Sequence, residues 1–133
     1  MICQLDTESL EIRGNKVTSS RHNWTEYDVQ IDSLLTVFGM GVFQGRLRFL
    51  IDLSDNSRPL WFDATDFKIV TSDIPRNWES ASFADGDWSF IFGYENLVKS
   101  DEHFNGLLER EEHDLEIFQN LKEIYKNEHA SLL

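Results

Sequence analysis

Residues 88–108 read WSFIFGYENLVKSDEHFNGLL, and the spacing of their apolar residues changes partway along. Trp88, Phe90 and Phe92 alternate with their neighbours until Gly93, which is the period of a strand. Beyond Ser100 the apolar positions are Phe104, Leu107 and Leu108, which is the period of a helix. Ser100 stands three residues before His103, and Asp101 and Glu102 fill the turn between them. A serine followed by acids suits a helix start, because its hydroxyl accepts from a free amide and the acids oppose the dipole. The chain therefore changes from sheet to helix between residues 93 and 100.

The same two periods extend outward from this junction. On the helical side, Leu115, Phe118, Leu121, Ile124 and Tyr125 form a stripe over Glu111 to Lys126, widened by Ile117. Lys122 and Lys126 near its end suit the dipole. On the strand side, Leu47, Phe49, Ile51 and Leu53 share one face, with Leu50 the exception. Ser54-Asp55-Asn56-Ser57 reads as a hairpin turn, and Leu60–Asp63 as the returning strand, with Pro59 placed before it. Phe67 and Ile69 mark another strand, ended by Ser72-Asp73-Ile74-Pro75. Residues 9–13 form a short strand, 15–23 read as a polar loop, and Tyr27, Val29 and Ile31 alternate with polar partners. Gly39, Gly41 and Gly45 follow the apolar run Leu34–Phe38 and suggest a turn or bulged strand. The expected fold is α+β: one domain over residues 1–133, an antiparallel sheet of about five to six strands with C-terminal helices packed on one face.

Composition limits the function classes. The chain has 133 residues, enough for one domain with a real core, and 41% are hydrophobic and 13% aromatic. Lys and Arg number 12 against 24 Asp and Glu, a net charge of −12. Such a surface repels phosphate backbones and anionic membranes, so neither nucleic acid nor membrane is an expected partner. A basic protein is. Cys3 is the lone cysteine, the first residues lack the pattern of a secretory signal, and apolar runs are short. A cytoplasmic location is expected.

Chemistry-bearing patterns are weak. His22, His103, His113 and His129 lack zinc-ligand spacing and read as solvated. Cys3 and Ser19-Ser20 lack the context of a nucleophile. The three glycines do not match a phosphate loop. Asp85-Gly86-Asp87 begins like a calcium loop but lacks its glycine and its final glutamate. No pair among the many carboxylates stands out as a glycosidase pair. The expectation is a protein without enzymatic activity, metal or cofactor.

The distribution of charge is more telling. No Lys or Arg lies between Arg21 and Arg46, while Glu26, Asp28 and Asp32 do. None lies between Arg76 and Lys99, while Glu79, Asp85, Asp87 and Glu95 do, interleaved with Trp78, Trp88 and Tyr94. Carboxylates beside aromatics suit the capture of Lys and Arg by ion pairing and stacking. Glu26, Asp28, Asp32, Glu79, Asp85, Asp87, Trp88 and Glu95 are therefore the candidate partner-binding residues. The bland alternative is solvated acids and core tryptophans. Glu109, Glu111, Glu112, Asp114 and Glu116 extend the acidic field.

Leu60-Trp61-Phe62-Asp63, Phe67-Lys68-Ile69-Val70 and Asp73-Ile74-Pro75-Arg76-Asn77-Trp78 form a strand pair leading to an Ile-Pro-x-x-Trp corner. Gly93-Tyr94-Glu95-Asn96-Leu97, His103-Phe104 and Leu107-Leu108-Glu109 follow. Together these segments, within residues 45–126, resemble small bacterial immunity proteins. The resemblance implies a cytoplasmic, non-enzymatic antidote to a contact-dependent (growth inhibition) or polymorphic toxin. Such antidotes often block the active site of a toxin, many of which are basic nucleases. It also implies structural roles for Ile74, Pro75 and Trp78. The alternatives are an acidic protein-interaction or DNA-mimic adaptor without a toxin, and a small enzyme or ligand-binding protein.

Overall fold

A computed structural model describes residues 1–6, 10–13, 16–19, 25–27 and 32–131, with side chains over 1–6 and 32–127. Its spine is the nine-residue strand β5 (Leu35–Phe43). Along one edge β5 pairs antiparallel with β6 (Arg46–Ile51), which pairs in turn with β7 (Leu60–Asp63). The other edge is shared by two strands. β1 (Ile2–Leu5) pairs with the start of β5, Cys3 opposite Leu35, and carries β8 (Phe67–Thr71) beyond it. β10 (Trp88–Gly93) pairs with the remainder, from Gly39↔Gly93 to Phe43↔Trp88, and carries β9 (Glu79–Ser82). The sheet has seven strands and forks at β5. A separate antiparallel sheet joins β2 (Leu10–Arg13), β3 (Lys16–Ser19) and β4 (Thr25–Tyr27). Three helices follow: α1 (Glu95–Lys99), α2 (Asp101–Glu109) and α3 (Glu112–Ser131).

The α+β architecture with C-terminal helices is as the periodicity predicts, but there are more strands than the expected five to six. Lys16–Ser19, read as loop, is β3. It carries a single apolar residue, Val17, so period-2 patterning had little to mark it. β9 (ESAS), with Ala81 alone, lacks the alternation for the same reason. Phe49 and Ile51 face one cluster, with Cys3, Leu5, Val37 and Phe67. Leu50 faces the other, with Phe38, Ile91, Leu97 and Phe118. Leu50 is thus the contact of β6 with the helices rather than an exception, and β6 is buried on both sides. Leu47, read as core, is 45% exposed. It lies beside the turn of the β5–β6 hairpin, beyond both clusters.

The helices reach the sheet closely because two glycines face each other. Gly39 opposes Gly93, and a Cβ on either would come within 2.6 or 2.8 Å of Leu97 Cδ2. α1 therefore lays Leu97 directly on backbone. α3 buries Phe118 completely, with Leu115, Leu121 and Tyr125 packed around the same cluster. Ile124, read as part of that stripe, is 52% exposed. At about 100° per residue it lies roughly 120° around the helix from Phe118. Trp78 links the two faces: it packs in the first cluster, and its indole N–H donates to Tyr125 Oη of α3 at 2.8 Å.

Burial also sets a pH limit. Cys3 is fully buried in β1, and burial pushes its thiol from 9.0 to about 12. Burial, then the charges of Tyr125 and Asp114, raises the Tyr94 hydroxyl as well. Both groups are neutral acids whose folded pKa exceeds the unfolded one. Their contribution is whole below about pH 9 and is lost as pH rises toward their folded values. At about 1.4 kcal/mol per unit, Cys3 alone accounts for about 2 kcal/mol lost between pH 9 and 10.5. Denaturant midpoints should fall over that interval and fall less steeply in Cys3→Ala. Equal slopes in the two proteins would refute this account.

Candidate functional site

The acid-bearing segments separate in space. Asp85, Gly86 and Asp87 form the β9–β10 turn, all exposed, with Gly86 at φ +96° in the region that favours glycine. This turn is tied to its neighbour. Gln44, in the β5–β6 turn, donates its main-chain N–H to the Asp87 carbonyl at 2.8 Å and its side-chain amide to Asp87 Oδ1 at 3.4 Å. Neither Asp85 nor Asp87 has a basic partner among the described residues. The two carboxylates thus project from a braced tip.

Trp88, the first residue of β10, is half-buried. Its ring lies 5.0 Å from Phe43, 4.8 Å from Trp61 and 5.2 Å from Phe104 between centroids. It also covers Gly41, where a Cβ would meet the ring at 2.7 Å. An arginine is already nearby: the Arg48 guanidinium lies 5.6 Å from the Phe43 ring centroid. The structure therefore places Trp88 within an aromatic layer under α2.

Glu79 and Glu95 sit at the other end of the same hairpin, roughly 20 Å from the tip at about 3.3 Å per residue. There they meet a cation: Lys99 Nζ lies 3.6 Å from Glu79 and 3.5 Å from Glu95. All three are exposed, so these pairs add little stability. Asp32 is exposed at a third place, its carbonyl accepting from Gln4 Nε2 at 3.1 Å. Glu26 lies in β4 with its side chain outside the described residues, and Asp28 lies outside them altogether. The eight candidates do not form one site. Among the described residues, the tip is where two of these carboxylates, Asp85 and Asp87, stand together without a basic partner.

Two buried polar networks were not legible in the sequence. His103, read as solvated, is 2% exposed. Ser100 Oγ caps α2 by accepting from the His103 amide at 3.1 Å, as the spacing predicts, and this turns the imidazole inward. Its Nδ1 lies 3.0 Å from Asp114 Oδ1, and its Nε2 lies 2.7 Å from the Tyr94 hydroxyl. Asp114 can only accept, so Nδ1 carries the proton and Nε2 accepts from Tyr94. The order acid–imidazole–hydroxyl resembles a hydrolytic relay. Here all three residues are buried, and burial raises the hydroxyl that would have to act. The relay fastens the residue before α1 to α2 and α3. Asp114 packs so tightly on Gly106 that a Cβ there would collide with its carboxylate.

The second network joins sheet to helix. Lys122 of α3 reaches Asp52 Oδ2 at 2.6 Å and Asp55 Oδ1 at 2.5 Å. Burial alone would lower the Lys122 pKa, but hydrogen bonds and charge from Asp52 and Asp55 raise it above its usual value. The hydrogen bond from Lys122 holds Asp55 below the usual carboxylate range against a smaller effect of burial. Asp52 also accepts from the amides of Asn56 and Ser57, fixing the turn between β6 and β7. Beside this network a groove of about 660 Å³ opens between β5 and α3.

No helix among the described residues is long and apolar enough to cross a membrane. Compared with known proteins, the chain matches no family model, no curated protein and no solved structure.

Proposed function

We propose that this chain is a cytoplasmic, non-enzymatic immunity protein that binds and neutralises a basic toxin domain, a nuclease being the class that best fits its charge. The observation that carries the reading is free negative charge on a braced support. A net charge of −12 is joined to a rigid turn that displays Asp85 and Asp87 without basic partners among the described residues. The outer face of the helices adds exposed Asp101, Glu102, Glu109, Glu111, Glu112 and Glu116. Such a field speeds encounter with a basic partner, and a few desolvated pairs then hold the complex. A basic substrate channel covered in this way is closed to nucleic acid.

The test is association with the basic C-terminal domain of a secreted protein encoded beside this chain. Raising salt from 50 to 500 mM should slow association about tenfold or more. The pair Asp85→Ala, Asp87→Ala should slow it further and speed dissociation. If high salt and the double change both leave rate and affinity unaltered, the acidic-decoy mechanism is wrong. Binding only to basic proteins unlinked to any toxin would favour an adaptor instead.

A further inference from the structure

The sheet face opposite the helices carries an apolar row beside the acidic tip; a role for this row deepens the proposed reading and rests on it. We infer that the row of Leu47, Val42 and Phe90 is where the basic protein partner is held, by an apolar side chain flanked by lysine or arginine. Strand pairing defines the row. The first cluster runs along this face through Phe49, Met40 and Phe92, which pair across β6, β5 and β10. One step further toward the β5–β6 turn, Leu47 pairs with Val42, and Val42 with Phe90. Paired residues point to the same side of a sheet. The three therefore share the face opposite Leu50, Ile91 and the helices packed on them. Leu47 is 45% exposed, and Val42 and Phe90 are half-buried. The Phe90 and Phe92 rings lie 6.5 Å apart, so the row is continuous with the core beneath it. Contiguous apolar side chains on one face, unlike scattered ones, mark an interaction surface.

Charge selects the partner. Arg46 and Arg48 flank Leu47 in β6 and so point to the other face. There Arg46 Nε donates to Asp63 at 2.6 Å, and Arg48 lies against the Phe43 ring. Lys99 is taken by Glu79 and Glu95 at the far end of β10, where Glu79 pairs with Gly93, and Arg76 precedes β9 at that same end. At the row's own end stand Asp85 and Asp87, exposed and without a basic partner among the described residues. Gln44, between Val42 and Leu47 in the chain, holds their turn through its main-chain and side-chain bonds to Asp87. Row and carboxylates are thus fixed together at one end of the sheet. An anionic partner would be repelled there. A neutral apolar one would bury carboxylates without a counter-charge, which is costly. A cation beside an apolar side chain satisfies both, as an apolar anchor with a charged rim does at protein interfaces.

Two measurements test the row. The ¹⁵N-labelled full chain is titrated with phenethylguanidinium, which joins an aromatic ring to a cation. Amide signals of Val42, Leu47, Asp87 and Phe90 should shift. Phenylpropionate, a ring with the opposite charge, and methylguanidinium, a cation without a ring, should leave them in place. The second measurement is the kinetics of binding to the basic domain used to test the proposed function. Leu47→Ser changes an exposed position, and Val42→Thr keeps a branched side chain that suits a strand. Each should speed dissociation about five- to tenfold, as expected for one lost apolar contact. The salt-dependent association rate should stay as in the unaltered chain, since it reads charge. The proposal is overturned if phenylpropionate shifts the row as well, if the shifts map elsewhere, or if no probe shifts it at millimolar concentration. It is equally overturned if both variants dissociate like the unaltered chain. Movement of the same amides on raising protein concentration alone would make a second copy the occupant and overturn it too. Association that ignores salt and the Asp85/Asp87 change sinks the acidic-decoy mechanism instead, so the two readings fail separately.

Discussion

Replacing Phe118 with alanine is expected to destabilise the domain by about 3–5 kcal/mol, the range for a buried phenylalanine whose site cannot collapse. Phe118 is 0% exposed. It meets the Phe38 ring edge-on at 4.8 Å, and Phe38 is stacked in turn on Tyr125 at 5.6 Å. Collapse is hindered because the sheet on one side and the relay of Tyr94, His103 and Asp114 on the other are fixed. Phe118→Leu should cost less, since it keeps most of the volume. Chemical denaturation checks both, and a cost near zero for the alanine would mean that α3 is not docked as described.

Asp52→Ala should cost about 3–5 kcal/mol, as breaking a buried charge pair does. It leaves Lys122 with exposed Asp55 as its remaining partner, and it also strips the acceptor from the Asn56 and Ser57 amides. Lys122→Met should cost clearly less. It removes the cation but leaves Asp52 capped by two amides, and its chain still fills the space beneath the turn. pH bears on the same network from both sides. Asp55 is held below its ordinary pKa, so its contribution is present above about pH 4 and is lost as pH falls through its folded value. Lys122 is raised, so its contribution is whole below about pH 10.5 and lost as pH rises through its folded value. Urea titrations of the two variants decide the matter. Equal losses, or a larger loss for Lys122→Met, would show that the turn amides do not depend on Asp52.

What could be read beforehand follows from what burial writes into sequence. Strands β6 and β10 carry apolar residues at alternate positions because one face or both must be buried, whereas β7 and β8 are marked by apolar residues although Leu60, Ile69 and Val70 are exposed. β3 carries Val17 and β9 carries Ala81 as their single apolar residues, so KVTS and ESAS look like loops. α1 is only five residues long, too short for a period to appear. The projecting pair Asp85 and Asp87 was legible because Asp-Gly-Asp demands a turn. The relay was not: Tyr94, His103 and Asp114 meet only once three helices are placed, and nothing in their spacing announces it. The groove is assembled from segments as distant as Leu34, Asp52, Ile74 and Lys122, which no local pattern joins.

The fork at β5 has a consequence for how chains behave at high concentration. An open sheet ordinarily ends in two outer strands, whereas this one ends in three among the described residues: β7, β8 and β9. Each is a row of backbone groups able to recruit a foreign strand. Leu60 on β7 and Ile69 and Val70 on β8 are 44%, 52% and 50% exposed, so two of the three edges are adhesive as well as unpaired. The safeguards are local. β7 has only four residues and follows Pro59, β8 has five and carries Lys68, and β9 opens on Glu79. Mutual repulsion between chains of charge −12 adds a longer-range barrier that salt weakens. Colloidal stability in this protein is therefore coupled to ionic strength, and concentrated stocks should self-associate first through β8 when that repulsion is screened.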